Sequence, residues 1–322
     1  MNMRYKILNA ESENFSKEAK KALSLVADVD YFKSLSASEI ERKIADYDGL
    51  IVRLKNHIGR GILGRAKRLL FVASPTTGLD HIDLKLAKEK SIEVISLFGE
   101  KEFLRNIYAT AEYTIALMFF LIRNIPLAFD DVKQYKWNRN KFIGRELNGK
   151  VLGVVGYGRV GKMVAGYARL FGMKIIAHDI RKAGFERGVK RVGLDKLLKL
   201  SDVISIHLPL NDTTTGLFNK TLFKNMAKAP FLINTSRGPI IDESGLLWAL
   251  KNRVIKGAAI DVLEGERAMG VHKNPLIEYA KKNSNLIITP HIGGATYESM
   301  QKTEIFISKK IQGFLKRVDA NS

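Results

Sequence analysis

Cysteine is missing from the chain altogether. Its absence excludes a disulfide framework and any thiolate nucleophile. Histidine is scarce, with six residues scattered along the sequence. No dense group of His, Asp and Glu has the spacing of a structural metal site, so no metal is expected. Long apolar runs are lacking too. The longest, residues 115–122, is far short of the roughly 20 residues that span a bilayer as a helix. The N-terminal residues do not contain the apolar core of a secretory signal, and a cytoplasmic location is expected. Acidic residues are outnumbered, 33 against 53 Lys and Arg, for a formal charge of +20. A surface of that sign suits nucleic acid. Here, however, the basic residues are spread over the whole chain, with no basic arm and no interleaved aromatics. The reading taken is a solvated basic surface that steers small anions, with nucleic acid not expected as a partner.

What is present points to a folded enzyme-sized protein. The 322 residues suggest about two domains. A 46% share of hydrophobic residues supplies a sizeable core. The most telling segment runs from Val151 to Asp179. An apolar run, residues 151–155, reads as a buried strand. Gly156-Tyr157-Gly158-Arg159-Val160-Gly161 follows at once, then a helix-like stretch, then a second strand ending near Asp179. That order is the dinucleotide-binding fingerprint. Gly156 permits a tight turn, Gly158 lets the backbone approach a pyrophosphate, and Gly161 lets the helix pack against the strand. The free N–H groups and positive dipole end of that helix suit the phosphates. Asp179 stands near the spacing of about 20 residues expected of a carboxylate that accepts the ribose hydroxyls of NAD.

Strand-like runs precede and follow this segment. Before it stand residues 3–9, 47–54, 69–73 and 92–96, with helical periodicity over 15–25 and 84–90. After it come 203–207, 231–234, 258–262 and 286–289, which with 151–155 and 174–177 make about six strands, the number in a complete dinucleotide-binding sheet. Strands alternating with helices predict parallel sheets. A helix from about Thr110 to Arg123 is apolar nearly all round and therefore buried. Pro126 marks its end or the turn beyond. The last stretch, residues 297–317, reads as an amphipathic helix returning to the first domain.

Three polar residues fall just beyond strand ends, where ligands bind in such sheets. They are Arg237 in Asn234-Thr235-Ser236-Arg237-Gly238, Glu266 after the run 258–262, and His291 in Thr289-Pro290-His291-Ile292-Gly293-Gly294. These residue types suit hydride transfer to a 2-oxo acid. A guanidinium holds the carboxylate, ideally through two bonds. A His gives or takes the hydroxyl proton as hydride moves. A carboxylate beside that His fixes its tautomer.

With these motifs in place the chain resembles the D-isomer-specific 2-hydroxyacid dehydrogenases over essentially its whole length, nearest the phosphoglycerate dehydrogenase-like branch. Residues 74–83 resemble the family's substrate loop, and Ala109-Thr110-Ala111-Glu112 the start of its dimer helix. The resemblance implies two Rossmann-like α/β domains. A discontinuous, flavodoxin-like substrate domain takes residues 1–104 and 294–322, and an NAD-binding domain takes 105–293. It implies an NAD-dependent enzyme interconverting a D-2-hydroxy acid and a 2-oxo acid. Arg237 would bind the substrate, His291 would be the general acid/base, and Glu266 would be its partner. Thr77 and Gly78 would meet the substrate carboxylate through backbone amides. Tyr157, Gly158, Arg159 and Val160 would cradle the pyrophosphate. Asp261 would hold the nicotinamide carboxamide, and Thr214, Thr235, His207, Pro209 and Gly293 would complete the cofactor set. A homodimer through the NAD-binding domain is implied as well.

Departures refine this picture. The family often has proline after the catalytic Glu, where this chain has Arg267, and Glu264 is a nearby rival to Glu266. A glutamate rather than glutamine argues against the formate dehydrogenase branch. Arg181 could accept a 2′-phosphate, yet Asp179 would repel one, so NAD is expected over NADP. Arg53, Lys55 and Asn106 sit where phosphoglycerate dehydrogenases place groups near a second substrate anion. Phosphoglycerate dehydrogenase and hydroxypyruvate/glyoxylate reductase are therefore the alternatives within the family. A non-catalytic, NAD-sensing corepressor-like protein is the alternative outside it. The C-terminal regulatory extension of many phosphoglycerate dehydrogenases is not in the sequence, and feedback through such a domain is not expected.

Overall fold

The structure, a computed structural model, describes residues 4–266 and 273–321. Met3, where the first strand was expected to begin, and Arg267, which follows the candidate catalytic Glu, lie outside the described residues. The chain divides into two compact units, one of residues Met1–Ile107 with Ala295–Ser322 and one of Tyr108–Gly294.

The first unit is built on five strands: β1 (Tyr5–Asn9), β2 (Ala27–Tyr31), β3 (Gly49–Ile51), β4 (Phe71–Ala73) and β5 (Glu93–Ile95). They pair in parallel in the order β2-β1-β3-β4-β5, the flavodoxin-like arrangement. Alternate residues of each strand serve opposite faces, as the two-residue period of a pleated strand dictates. Leu8, Leu50 and Val72 enter one core, while Ile7, Ile51, Phe71 and Ile95 enter the other. Ile307, Ile311 and Leu315 of the Tyr297–Ala320 helix pack into that second core. Their i, i+4, i+8 spacing puts them on one helix face. Strand β2 was not expected from the sequence. It is an edge strand whose residues after Ala27 are all partly exposed or exposed, so it lacks the apolar run that marks a buried strand.

The second unit carries seven parallel strands: β6 (Val151–Val155), β7 (Lys174–His178), β8 (Val189–Arg191), β9 (Val203–Ile206), β10 (Phe231–Asn234), β11 (Gly257–Ile260) and β12 (Leu286–Ile288). Their order is β12-β11-β10-β9-β6-β7-β8. That is the doubly wound dinucleotide-binding order with one further strand beyond β11. Seven strands replace the expected six because β8 is a short, largely exposed edge strand of sequence Val-Lys-Arg, with no apolar pattern to announce it. Both faces are covered: Val155, Ile204, Ile206 and Leu232 point into one core, and Leu152, Val154, Ile175 and Ala177 into the other. Near-continuous apolar strands are the sequence mark of such sheets.

The Ala109–Ile122 helix buries Ala111, Leu117, Met118 and Leu121 but leaves Phe120 38% exposed. Its apolarity therefore exceeds what the core of this unit uses. Pro126 does not simply follow this helix. It sits in the first turn of a second helix, Ile125–Lys133, after Asn124 turns the chain with φ of +54°. Proline suits that place because its missing N–H would have no helical acceptor there. Among the described residues no helix is long and apolar enough to cross a membrane.

Candidate active site

The glycine turn lies where the strand order reverses, at the carboxyl ends of β6 and β9. Gly156 has φ of +91°, and a Cβ there would stand 2.3 Å from the His207 carbonyl oxygen. A Cβ on Gly161 would stand 2.2 Å from the Gly156 oxygen. Neither position admits a side chain. Gly158 is different: a Cβ there would meet only the Arg181 guanidinium, at 3.6 Å. The surface over Gly158 is thus open to a ligand. The Arg159–Leu170 helix starts from it without a side-chain cap, leaving first-turn amides that have no acceptor inside the helix. This cradle fits a dinucleotide pyrophosphate.

Asp179, just beyond β7, is 8% exposed. Its Oδ2 accepts the Tyr157 amide at 2.8 Å and Arg181 Nη2 at 2.8 Å. Its Oδ1 accepts the Arg181 amide and Arg181 Nε, both at 2.9 Å. The Arg181 guanidinium, aided by these amides, holds the carboxyl down at about 2. On the other side of the turn, His207 accepts or donates through Nε2 to Ser205 Oγ at 2.8 Å. Burial pushes its imidazolium down to about 3, so the ring is neutral at pH 7. Thr214 ties the following loop by donating to the Pro209 carbonyl at 2.6 Å. Thr235 meets Thr114 at 2.7 Å. The Thr114 proton goes to the Thr110 carbonyl at 2.7 Å, so Thr235 is the donor of that pair.

The three candidate catalytic residues stand on adjoining loops after β10, β11 and β12. Asn234, fully buried at the end of β10, folds the first loop. Its Oδ1 accepts the Ser236 amide at 3.0 Å, and its Nδ2 donates to the Arg237 carbonyl at 3.0 Å. Arg237 then turns its Nη1 onto the Ser236 carbonyl at 2.8 Å. Gly238 brings this loop against the next one: a Cβ there would lie 2.1 Å from the Leu263 carbonyl carbon. The Leu263 amide in turn donates to Glu266 Oε2 at 3.0 Å, and Glu266 Oε1 meets His291 Nδ1. Glu264 is exposed, and its amide donates to Glu243 at 2.9 Å. An ionised carboxylate has no proton to give, so with Glu266 ionised Nδ1 carries the hydrogen and Nε2 is the ring's second nitrogen.

Asp261 anchors the His291 loop. It is 1% exposed and accepts Thr289 Oγ1 at 2.7 Å, the Ile292 amide at 3.0 Å and the Gly293 amide at 2.7 Å. Burial pushes its carboxyl up, against the pull of those hydrogen bonds. His291 itself holds φ of +56°, a sparsely populated conformation for a non-glycine residue. Its amide donates to the Asp261 carbonyl at 2.8 Å. Strain of this kind gathers where a side chain must be aimed. Thr114, Thr289 and Asn234 support these groups without standing out in the sequence as supports. Only the motif around Asn234 carried a signal, since an Asn followed by Ser two residues on is a turn former.

In the first unit, Thr76 Oγ1 donates to the Gly78 carbonyl at 2.9 Å and shapes the loop after β4. The Thr77 and Gly78 amides make no hydrogen bond among the described residues. Arg53 has other work than an open cation. It pairs with Glu304, which is 1% exposed, and donates to the Glu13 carbonyl at 2.8 Å. Lys55 is exposed and donates to Ser34 at 2.7 Å. Asn106 is exposed, and its carbonyl accepts Lys302 at 3.4 Å.

Residues 115–293 match the family model of the D-isomer specific 2-hydroxyacid dehydrogenase NAD binding domain. The chain belongs to the D-isomer specific 2-hydroxyacid dehydrogenase family. Its second unit is accordingly an NAD-binding domain. Among curated relatives, a D-3-phosphoglycerate dehydrogenase of Archaeoglobus fulgidus is 36% identical over 292 residues, covering 90% of this chain and 53% of the relative. The chain spans about half the length of the curated relatives it matches. Among solved structures, D-lactate dehydrogenase from Aquifex aeolicus, complexed with NAD and lactic acid, is similar with a TM-score of 0.85 and 28% identity, covering 97% of this chain and 95% of that one. An acyclic imino acid reductase in complex with NADPH and D-arginine is similar with a TM-score of 0.81 and 27% identity, covering 97% of each chain.

Proposed function

We propose that the chain is an NAD-dependent dehydrogenase interconverting a D-2-hydroxy acid and its 2-oxo acid. The observation that carries this reading is the Glu266–His291 pair, with Nδ1 committed to the carboxylate, on loops that adjoin the one holding Arg237. When bound at the Gly156–Gly161 turn, NADH or NAD would supply or take the hydride at the carbon that bears the oxygen. Arg237 holds the substrate carboxylate and its neighbouring oxygen through the donors of its guanidinium. His291 gives its Nε2 proton to the carbonyl oxygen in reduction and takes the hydroxyl proton in oxidation. Glu266 accepts the Nδ1 hydrogen throughout, keeping the ring in the tautomer and orientation that the transfer needs. Asp261 holds the His291 loop and meets the carboxamide. Thr77 and Gly78 are assigned to the substrate carboxylate on the strength of their unengaged amides.

Within this reading the favoured substrate class is a 2-hydroxy acid with a second anionic group, as the names of the curated relatives suggest. Arg53 has a weaker claim to that anion than the sequence implied, because Glu304 already pairs with it. The test is oxidation of NADH by purified chain against pyruvate, glyoxylate, hydroxypyruvate and 3-phosphohydroxypyruvate. Turnover highest with the phosphorylated acid supports the full reading. Turnover of the others alone keeps the dehydrogenase and removes the second anion. No turnover with any acid, while NADH binds, would favour a sensing role instead.

A homodimer through the NAD-binding domain is proposed as well. Its support is the group of exposed apolar side chains on and after the Ile125–Lys133 helix: Phe129 at 62%, Tyr135 at 99%, Trp137 at 88% and Ile143 at 76% exposure. Large apolar side chains exposed this closely along one stretch of chain suit a contact with another protein surface.

A further inference from the structure

The Asp179 carboxylate has no room left for a ribose as it stands. A carboxylate offers about four lone-pair positions. The Tyr157 amide, the Arg181 amide, Arg181 Nε and Arg181 Nη2 supply four donors at 2.8–2.9 Å. Two of these come from the guanidinium, in a side-on fork of charge-assisted bonds. Ribose hydroxyls of NAD would have to displace that fork and give neutral donors in its place.

The same fork leaves a second edge unused. With Nε and one Nη2 hydrogen spent on Asp179, the end-on edge of the guanidinium, Nη1 and the other Nη2 hydrogen, makes no bond among the described residues. That edge is in solvent, the Arg181 side chain being 64% exposed. It also lies beside the dinucleotide turn, with Nη2 at 3.6 Å from the Cβ position of Gly158. A planar guanidinium can serve a carboxylate on one edge and a phosphate on the other. Neutralising Asp179 also removes the repulsion by which a carboxylate at this place rejects a 2′-phosphate.

We propose that Arg181 is the coenzyme-selecting residue of this site: forked onto Asp179, it weakens the claim of the NADH ribose and offers its outer edge to the 2′-phosphate of NADPH, so that the chain takes both coenzymes. This rests on the reading of the Gly156–Gly161 turn as a dinucleotide site.

The experiment is calorimetric titration of the whole chain with NADH and with NADPH, for wild type, Arg181→Ala and Arg181→Lys, with no substrate present. Wild type is expected to bind the two coenzymes within about tenfold of each other. Arg181→Ala should weaken NADPH by about tenfold or more and leave NADH unchanged or tighter. Arg181→Lys keeps the charge without the planar fork and should fall between them. Wild type that prefers NADH by more than about a hundredfold overturns the proposal. So does an Arg181→Ala variant that shifts both coenzymes equally or neither. Those results leave the dinucleotide site standing, whereas wild type that binds no coenzyme removes the site and the proposal together.

Discussion

His291 is the residue on which the proposed chemistry turns. With Nδ1 held by Glu266, one nitrogen remains for the reacting oxygen. His291→Ala is expected to lower kcat by about 10²–10⁴-fold while NADH affinity, measured by titration, stays unchanged. Loss of both would remove its assignment as the acid/base. Glu266→Gln keeps the shape but replaces the charged acceptor, and should cost kcat more than KM. His207 lends itself to a different test. Its folded-state value, about 3, lies below the ordinary 6.5. Between those values the unfolded chain binds a proton that the folded chain does not. Stability is therefore fully present above about pH 6.5 and falls as the pH drops towards 3, by up to about 1.4 kcal/mol per pH unit. Urea midpoints between about pH 7 and pH 4 should fall less steeply for His207→Asn than for wild type; parallel curves would refute the assignment.

At the scale of elements, the loops after β10, β11 and β12 act as one support. Gly238 sets the spacing of the first two because its hydrogen faces the Leu263 carbonyl carbon, 2.1 Å from where a Cβ would be. Gly238→Ala must push these loops apart, so Arg237 and the Glu266–His291 pair lose register. Expected are about 1–3 kcal/mol of lost stability and a disproportionate fall in kcat/KM, with the helical circular dichroism retained. Unchanged kcat/KM would show that the spacing is not needed. The glycine fingerprint was legible in the sequence because each glycine answers a steric demand that no other residue meets. The edge strands β2 and β8 were not legible, since an edge strand buries too little to impose a pattern. The Ile125–Lys133 helix was hidden by Pro126, which reads equally as an end or a beginning.

For the whole molecule the open matter is what covers Phe129, Tyr135 and Trp137. If a second copy does, sedimentation of the wild type should give twice the chain mass, and Trp137→Glu with Phe129→Glu should give the monomer without loss of helical signal. A wild type that sediments as a monomer at micromolar concentration would remove the dimer. The count of about two domains followed from the length, and parallel sheets from the alternation of strands and helices. The strand orders, β2-β1-β3-β4-β5 and β12-β11-β10-β9-β6-β7-β8, needed the tertiary structure, because order depends on where each crossover lands.

By itself the sequence determined the dinucleotide turn, the residue types at three strand ends and the parallel class of both sheets. Each rests on local chemistry: a forced glycine, a side chain placed just past an apolar run, a period of apolar residues. Only the tertiary structure decided which carboxylate meets His291, since Glu264 and Glu266 stand two residues apart in one loop. It alone showed Arg53 already paired with Glu304, more than two hundred residues away in the chain. It alone showed Asp179 filled by Arg181, because whether a neighbour in sequence becomes a partner depends on where the two side chains are free to turn. Local steric needs are written in residue types; the sharing of donors and acceptors is settled only when the chain is folded.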